Sequence, residues 1–288
     1  MIETDYTVNR RKSGERLRYS LVHLREAFGT SRAIAVTTDK IREYIAQRQK
    51  ASAANGTIAC ELACLKRMFT LAMQAGKVAQ KPFIPSITTG HPRQGFFEQP
   101  QLDAVLKHLS EDLRPPIVFA ALTGWRKRET LTLTWAQVDF AHQEVRLEPG
   151  TTKNSEGRVF PFSALPALAD LIYRQRERTT ALEKEMKTAI LYVFHRHGKP
   201  IRDLYKRWRE ACKAAKVSDR LIHDLRRTAV RNLERAGVPR SVAMKLTGHK
   251  TESVYRRYAI VAKADLTEGV AKLARLHQLL EVKSEATG

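Results

Sequence analysis

A segment rich in proline and glycine, KPFIPSITTGHPRQG at residues 81–95, divides the chain into two parts. It contains three prolines and two glycines and has neither helical nor strand periodicity, which is typical of a linker. Each part of the 288-residue chain must therefore bury a hydrophobic core of its own. We predict one domain over residues 1–85, a linker over 86–95 and a second domain over 96–288.

The first part has apolar residues at helical spacing along most of its length. The spacing predicts helices over residues 19–28, 38–48 and 57–75. The pair Thr38-Asp39 is a candidate N-cap for the second of these, and Gly76 is a stop signal after the third. A small helical bundle is the expected fold of this domain.

The second part has a mixed pattern. Helical spacing at residues 98–109 and 116–122 is followed by two alternating segments, VDFAHQEVRLEPG and GRVFPFS, which the turn-rich TTKNSEG connects. Helical spacing resumes at Leu165, and LYVFHRHGKPI is predicted to be a short extended segment within it. The predicted fold class is mainly α with a small antiparallel β-sheet, an α+β arrangement.

The charge balance indicates a polyanionic partner. The chain has 51 Lys and Arg against 30 Asp and Glu, a net charge of +21. Residues 1–92 contain 15 basic and 7 acidic residues and the remainder contains 36 and 23, so both parts are basic. A hydrophobic content of 43% argues against a disordered tail. The sequence therefore predicts a folded protein that binds a polyanion, and one hypothesis is that the two basic domains close on a duplex from two sides.

Several other classes of protein lack support in the sequence. No apolar run is long enough to span a membrane, and the N-terminus lacks the apolar stretch of a secretory signal. We expect a cytoplasmic, nucleoid-associated protein. No phosphate-binding loop or GxGxxG motif is present. The three cysteines, Cys60, Cys64 and Cys212, form no CxxC pair, and His195 and His197 are interpreted as polar loop residues. No cofactor, ATP or metal is expected.

The residues with chemical potential fall into four separated clusters: TGWRKRE at 123–129, Lys153 between the predicted strands, HDLR at 223–226, and GH at 248–249 with Tyr258 nine residues after the histidine. Each has an ordinary explanation when taken alone. In a protein with this many basic residues, an arginine such as Arg126 is more often a surface or phosphate-contacting residue than a catalytic one, and hairpin lysines such as Lys153 are mostly mobile surface groups. His223 and Arg226 are three apart and would share an exposed helix face, and most tyrosines are half-buried core residues.

The stretch TAVRNLERAGVPRSVAMKLTGH has the pattern of two helices around a glycine turn. That is the outline of a helix-turn-helix DNA reader. A DNA-binding regulator without catalytic activity is therefore one candidate function. It would have no need of Tyr258.

Taken together, the clusters form the ordered set R…K…HxxR…GH…Y. This set resembles the catalytic signature of the tyrosine recombinases, also called phage integrases. ALTGWRKRETLTLTW resembles the family's first arginine motif, IHDLRRTAV its HxxR motif, and LTGHKTESVYRRYA its stretch from GH to the tyrosine. The resemblance extends from about residue 5 to about residue 270, weakly in the first half. It implies a helical core-binding domain followed by a tyrosine-recombinase catalytic domain.

The resemblance also implies a role for seven residues: Tyr258 as the nucleophile that forms a 3′-phosphotyrosyl link, Arg126 and Arg226 on the non-bridging phosphate oxygens, His223 in proton transfer, His249 on a phosphate oxygen, Lys153 as the acid that protonates the leaving 5′-oxygen, and Glu129 as a supporting acid. Tyr255 lies three residues before Tyr258. It would share the same face of a helix, so it is the alternative nucleophile.

These residue types suit the implied chemistry on physical grounds. Attack on a phosphodiester builds negative charge on the equatorial oxygens, which guanidinium forks match in charge and geometry. A phenol has a pKa near 10 and needs a base or cationic surroundings to react. The leaving alkoxide needs a proton, which a lysine can supply. A phosphotyrosyl link conserves the bond energy, so strands can be exchanged without ATP or metal.

The resemblance implies partners as well. Recombinases of this family act as tetramers on two DNA sites, and DNA-bending or excision factors are accessory partners in some systems. Fewer than about 20 residues precede the first helical pattern, too few for an arm-binding domain. Either the protein is of a simpler type or the chain is a fragment.

The C-terminal tail has leucines and a valine at helical spacing: Leu266, Val270, Leu273, Leu276, Leu279 and Leu280. This helix would pack either on its own domain or on a neighbouring protomer, and the resemblance favours the neighbour.

The leading prediction is a site-specific DNA recombinase that integrates or excises a mobile element. Two alternatives stay open. One is the regulator described above, and the other is a type IB topoisomerase, which shares the chemistry but relaxes supercoils as a monomer.

Overall fold

The structure is a computed structural model that describes residues 1–11, 13–90, 95–149, 157–202, 204–259, 266–275 and 278. The chain forms two compact units, Met1–Pro92 and Arg93–Gly288. The division falls inside the predicted linker at 86–95.

In its described residues, the first unit is a bundle of four α-helices: α1 (Ile2–Val8), α2 (Gly14–Phe28), α3 (Thr38–Lys50) and α4 (Asn55–Gln74). Its core is built from the apolar stripes of α2, α3 and α4, including Leu21, Ile41, Ile58 and Leu65. The predicted bundle is therefore present. Helix α2 begins five residues earlier than the predicted start at residue 19.

Two details of this bundle differ from the prediction. Helix α1 was not predicted, because its one buried apolar residue, Ile2, gives no periodicity. The helix is held instead by an ion pair between Asp5 and Arg67 of α4. The cap of α3 is Thr37 rather than the Thr38-Asp39 pair, since the Thr37 hydroxyl accepts a hydrogen bond from the Lys40 N–H at 3.4 Å.

A buried ionic network joins α3 and α4. Glu61 is 1% exposed. Its carboxylate accepts hydrogen bonds from the Tyr44 hydroxyl at 2.7 Å and from Arg48 at 2.8 and 3.1 Å. A buried charge with this many partners fixes the alignment of its two helices.

The described parts of the predicted linker pack on their own units. In the first unit, the Asn55 side chain donates a hydrogen bond to the Thr88 carbonyl at 2.8 Å. In the second unit, Gly95 lies against Asp224, where an added Cβ would be 2.7 Å from a carboxylate oxygen. Residues 91–94 lie outside the described part of the chain.

Besides a helical segment at residues 266–275, the described part of the second unit contains α5 (Gln99–Lys107), α6 (Arg114–Thr123), α7 (Lys127–Leu131), α8 (Pro166–Met186), α9 (Leu204–Ala214), α10 (Asp224–Arg235), α11 (Arg240–Thr247) and α12 (Glu252–Tyr255). Its strands are β1 (Val138–Asp139), β2 (Glu144–Leu147), β3 (Arg158–Pro161), β4 (His195–Arg196) and β5 (Lys199–Pro200).

The strands pair as predicted from their alternation. Strands β1, β2 and β3 form one antiparallel sheet, with Val145 opposite Phe160 and Leu147 opposite Arg158. Strands β4 and β5 form a separate antiparallel pair. The mainly α fold with a small antiparallel sheet is thus confirmed. Helix α6 lies at the centre of the unit, in contact with α7, α8 and α10.

Two local predictions near the end of the unit have different outcomes. Helices α10 and α11 surround a turn at Gly237, which has a φ of 72°, so the predicted helix pair is present. The expectation of an extended segment around His195 is confirmed by β4 and β5, but its interpretation as a polar loop residue is wrong. It lies on β4, is buried, and hydrogen-bonds through Nε2 to the Thr179 hydroxyl at 3.0 Å.

The described part of the tail, residues 266–275, is helical. Its three apolar side chains, Leu266, Val270 and Leu273, are all exposed. Packing on the chain's own second unit is therefore wrong for these three. Leu276, Leu279 and Leu280 lie outside the described residues. Within the described residues, no helix combines the length and apolar character that crossing a membrane requires.

Candidate active site

The corner between α6 and α7 positions Arg126. Gly124 ends α6 in the left-handed conformation, with a φ of 67°. An added Cβ at Gly124 would be 3.0 Å from the Ala229 Cβ and 3.1 Å from the Thr247 methyl, so glycine suits both the turn and the space. Trp125 is buried and packs edge-on against Phe119. The chain then turns so that Arg126 immediately precedes α7.

Glu129 connects two arginines. Its Oε1 accepts a hydrogen bond from Arg126 Nη1 at 2.8 Å, and its Oε2 accepts one from the Arg126 backbone N–H at 2.9 Å. Oε2 also lies 2.7 Å from Arg158 Nη2. Burial raises the pKa of Glu129, but the charges of Arg158 and Arg126 outweigh burial and hold it below its usual range. The carboxylate is therefore ionised and orients both guanidinium groups.

Arg226 is a buried cation whose observed hydrogen bonds go to neutral groups. The side chain is on α10 and the residue is 2% exposed. Its Nη1 donates to the carbonyls of Gly124 at 2.6 Å and Thr247 at 2.5 Å. Burial, together with the charges of Arg126 and Arg158, lowers its pKa to about 9. Such a site attracts an anion, because a bound negative charge would offset both burial and repulsion.

A chain of hydrogen bonds determines the state of His249. Its Nε2 lies 3.0 Å from Arg226 Nη2, and its Nδ1 lies 2.7 Å from the Thr247 hydroxyl, which itself donates to the Ala243 carbonyl. Arginine can only donate, so Nε2 is the acceptor and Nδ1 carries the proton. Burial and the charges of Arg226, Arg126 and Arg158 lower the pKa of His249 to about 3. The ring is thus neutral at physiological pH.

Tyr258 is half-buried in the turn after α12 and lies among the predicted site residues. Its hydroxyl is 2.8 Å from His223 Nε2. Its ring is 4.7 Å from the His249 ring, and the Arg226 guanidinium lies 5.6 Å from the ring centre. Burial and the charges of Arg227 and Arg226 lower the pKa of His223, which leaves a neutral imidazole that can accept the phenolic proton.

Tyr255 lies beside this group, with its ring edge-on to the His249 ring at 5.3 Å, but in different surroundings from Tyr258. It ends α12, is fully buried, and packs with Val230 and Ala243. Burial raises the pKa of its phenol. The expectation that Tyr255 and Tyr258 share a helix face is wrong, because α12 ends at Tyr255 and Tyr258 follows in a turn. Tyr255 is therefore a poor candidate for the nucleophile.

The structure brings together six of the seven predicted site residues: Arg126, Glu129, His223, Arg226, His249 and Tyr258. Lys153 lies outside the described residues, between the end of β2 at Leu147 and the start of β3 at Arg158. A groove of about 880 Å³ opens beside Arg126 and His249, and Arg240 and Lys245 also line it. The site is therefore open to a ligand along a basic surface.

Arg158 is the site residue that the sequence analysis missed. It is buried on β3, on the same face as Phe160, and its partner is Glu129. The signal was an arginine at an inward position of the alternating segment GRVFPFS. An inward charge needs a buried counter-ion, and Glu129 is that partner.

Acid should destabilise the protein through His249. Because its folded pKa of about 3 lies below the unfolded value near 6.5, the unfolded chain binds the proton first. The resulting contribution to the free energy of unfolding is complete above pH 6.5 and is lost as the pH falls towards 3. Nuclear magnetic resonance of labelled histidines should show a neutral His249 with its proton on Nδ1 down to pH 5.

The control for this measurement is His249→Gln, whose free energy of unfolding should fall less steeply between pH 6.5 and pH 5. A His249 ring that titrates near pH 6 would contradict the hydrogen-bond assignment.

Comparison with known proteins places this arrangement in a family. Residues 96–265, more than half of the chain, match the phage integrase family. The integrase of Salmonella phage P22 is 28% identical over 226 residues, which cover 75% of this chain and 57% of that relative. The chain thus spans less than two thirds of the length of the phage protein.

Solved structures show the same fold. The Tn1549 transposon integrase in complex with a circular intermediate DNA superposes with a TM-score of 0.73 at 17% identity, covering 95% of this chain and 98% of that one. A lambda integrase tetramer bound to a Holliday junction superposes with a TM-score of 0.69 at 15% identity, covering 87% and 72%. The family match and the shared fold lead to one conclusion: the chain belongs to the phage integrase family of tyrosine recombinases.

Proposed function

We propose that the protein is a site-specific DNA recombinase that cleaves and rejoins strands through a 3′-phosphotyrosyl intermediate on Tyr258. The observation that carries this proposal is the 2.8 Å contact between the Tyr258 hydroxyl and His223 Nε2, beside a buried Arg226 whose observed hydrogen bonds go to neutral groups. A nucleophile, a neutral base and a buried guanidinium at one point suit transfer of a phosphoryl group.

The reaction would begin with proton transfer from Tyr258 to His223. The phenolic oxygen attacks the phosphorus as the bond to the 5′-oxygen breaks, and Arg126 and Arg226 stabilise the charge on the non-bridging oxygens. The departing 5′-oxygen takes a proton from Lys153, which is assigned to this role by the family resemblance. A second 5′-hydroxyl then gives its proton to Lys153 and attacks the phosphorus, while the bond to the Tyr258 oxygen breaks and His223 returns its proton to that oxygen.

His249 must change partners to contact the phosphate. In the structure its Nε2 accepts a hydrogen bond from Arg226. If an incoming phosphate oxygen takes that Arg226 hydrogen bond, the Nε2 lone pair would face the anion. The ring would then move its proton to Nε2 or take up a second one, which the nearby negative charge favours. Glu129 supports the step by holding Arg126 in place.

The partners follow from the relatives. The similar lambda integrase forms a tetramer on a Holliday junction, and the similar Tn1549 integrase comes from a transposon. We propose that this chain likewise assembles as a tetramer on two double-stranded DNA sites and integrates or excises a mobile element in the cytoplasm. Accessory DNA-bending or excision factors would assist where the element must favour integration over excision, or excision over integration.

Trapping followed by peptide mapping tests the proposal. The protein is incubated with duplex DNA from the region flanking its gene, nicked so that the cleaved end diffuses away. Trypsin cuts after Arg256 and Arg257, which places the two tyrosines in separate peptides, TESVYR (251–256) and YAIVAK (258–263). We expect the nucleotide on the second peptide.

Other outcomes point elsewhere. Label on TESVYR would make Tyr255 the nucleophile. Tight, salt-sensitive binding without any adduct would support the regulator. An adduct that relaxes supercoils but never joins to a second duplex would support a topoisomerase.

A further inference from the structure

We propose that Arg158 is a positioning residue that holds both halves of the phosphate site, namely Arg126 and the turn Thr247–Gly248–His249. Arg158 lies outside the R…K…HxxR…GH…Y set. The inference rests on the proposed function and adds a residue to it.

Arg158 is enclosed by three kinds of contact. Its side chain is 5% exposed, and its Nη2 lies 2.7 Å from Glu129 Oε2. Its Nη1 donates to the Thr247 carbonyl at 2.8 Å. Its guanidinium carbon lies 5.1 Å from the centre of the Trp125 ring. One planar group therefore connects α7, α11 and the residue before Arg126.

The ion pair between Arg158 and Glu129 determines how strongly Glu129 holds Arg126. Glu129 divides its carboxylate between Arg158 and Arg126. Without Arg158, Arg126 would be the remaining arginine observed on a buried carboxylate and would be held more strongly by it. Fewer of its donors would then be available for a phosphate. The loss of Arg158 should therefore slow the chemical step through Arg126.

The second contact controls the turn that carries His249. The Thr247 carbonyl accepts hydrogen bonds from both Arg158 and Arg226. Gly248 follows with a φ of 70°, and an added Cβ there would be 2.6 Å from the Arg158 guanidinium carbon. The turn thus packs directly on Arg158, which sets its position relative to Arg226.

Lysine could not replace these contacts. Its single ammonium is a point charge on a flexible stem, whereas the guanidinium presents donors in a rigid plane. A lysine can neutralise Glu129 or reach the Thr247 carbonyl, and it stacks less well on Trp125. The geometry predicts that charge alone is insufficient at this position.

The test measures single-turnover cleavage of the nicked DNA by the full chain at saturating protein. The variants are Arg158→Met and Arg158→Lys. The matched control is Arg231→Met, because Arg231 is equally buried at 3%, lies 3.8 Å over the Phe96 ring and pairs with Glu98, which precedes α5. The rate constant of both Arg158 variants should fall about 10- to 100-fold, the range expected when a reacting group is misplaced by up to an ångström.

Two further readouts separate positioning from stability. The DNA dissociation constant should stay close to that of the unchanged protein. The control should lose thermal stability and keep its rate constant, since misfolding lowers the fraction that reacts and leaves the rate of the folded fraction unchanged. If Arg158 acts mainly through Glu129, the double variant Arg158→Met with Glu129→Gln should lose much less of the cleavage rate constant than the product of the losses in the two single variants.

The inference is wrong if Arg158→Lys cleaves at the original rate, since charge would then be enough. It is equally wrong if both Arg158 variants lose only amplitude and thermal stability, as the control does. Failure of the unchanged protein to form any adduct would overturn the proposed function and this inference with it. An adduct formed equally fast by all variants would overturn this inference alone.

Discussion

Replacing Tyr258 with phenylalanine is expected to abolish covalent attachment to DNA and to leave binding intact. Phenylalanine keeps the ring that packs at 4.7 Å from His249 and lies near Arg226. It removes only the hydroxyl and its hydrogen bond to His223. Loss of a nucleophile lowers the rates of covalent enzymes on the order of 10⁴-fold or more. Adduct formation on nicked DNA and a salt titration of binding measure the two properties.

The matched control for this experiment is Tyr255→Phe. That change removes a hydroxyl three residues away, from a fully buried side chain in the cluster with Val230 and Ala243. It should leave the rate of adduct formation near that of the unchanged protein. Adduct formation by Tyr258→Phe together with its loss in Tyr255→Phe would reverse the assignment and would require α12 to rearrange on DNA.

The site motifs could be predicted from the sequence because each lies beside a strong local signal, such as a helix stop or an alternating strand segment. Gly248 stops α11 in the left-handed conformation, which fixes where His249 leaves the helix. The alternating strand segments predicted the sheet, since β2 and β3 each bury every second residue. Local periodicity and turn chemistry were sufficient for these features.

The hydrogen bonds and electrostatic interactions that connect the site residues could not be predicted from the sequence. Arg226 donates to carbonyls at Gly124 and Thr247, which are 102 and 21 residues away in the chain. Every residue has a backbone carbonyl, so no sequence pattern indicates which carbonyls will accept these hydrogen bonds. The same is true of His249, whose neutral state depends on burial and on three surrounding arginines. Such long-range electrostatics emerge only when the chain is folded.

Replacing Arg226 with lysine is expected to lower the cleavage rate constant by roughly 10² to 10³-fold, the effect of losing one preorganised donor, about 2.7–4 kcal/mol. Arg226 contacts two carbonyls and His249 Nε2 at the same time. An ammonium keeps the charge and loses the planar fork, so it cannot hold the turn and still present donors to a phosphate. Single-turnover cleavage at saturating protein measures the rate constant, free of any change in affinity.

Arg231→Lys is the control, because Arg231 is buried on the same helix and pairs with Glu98, the residue before α5. It removes a guanidinium from α10 at similar burial, so any loss of stability that comes with removing a buried guanidinium is common to both variants. A rate for Arg226→Lys within a few-fold of the control would mean that positive charge alone serves the reaction. In that case the contacts of Arg226 with Gly124 and Thr247 would serve the packing of the unit, and stabilisation of the transition state would fall to Arg126.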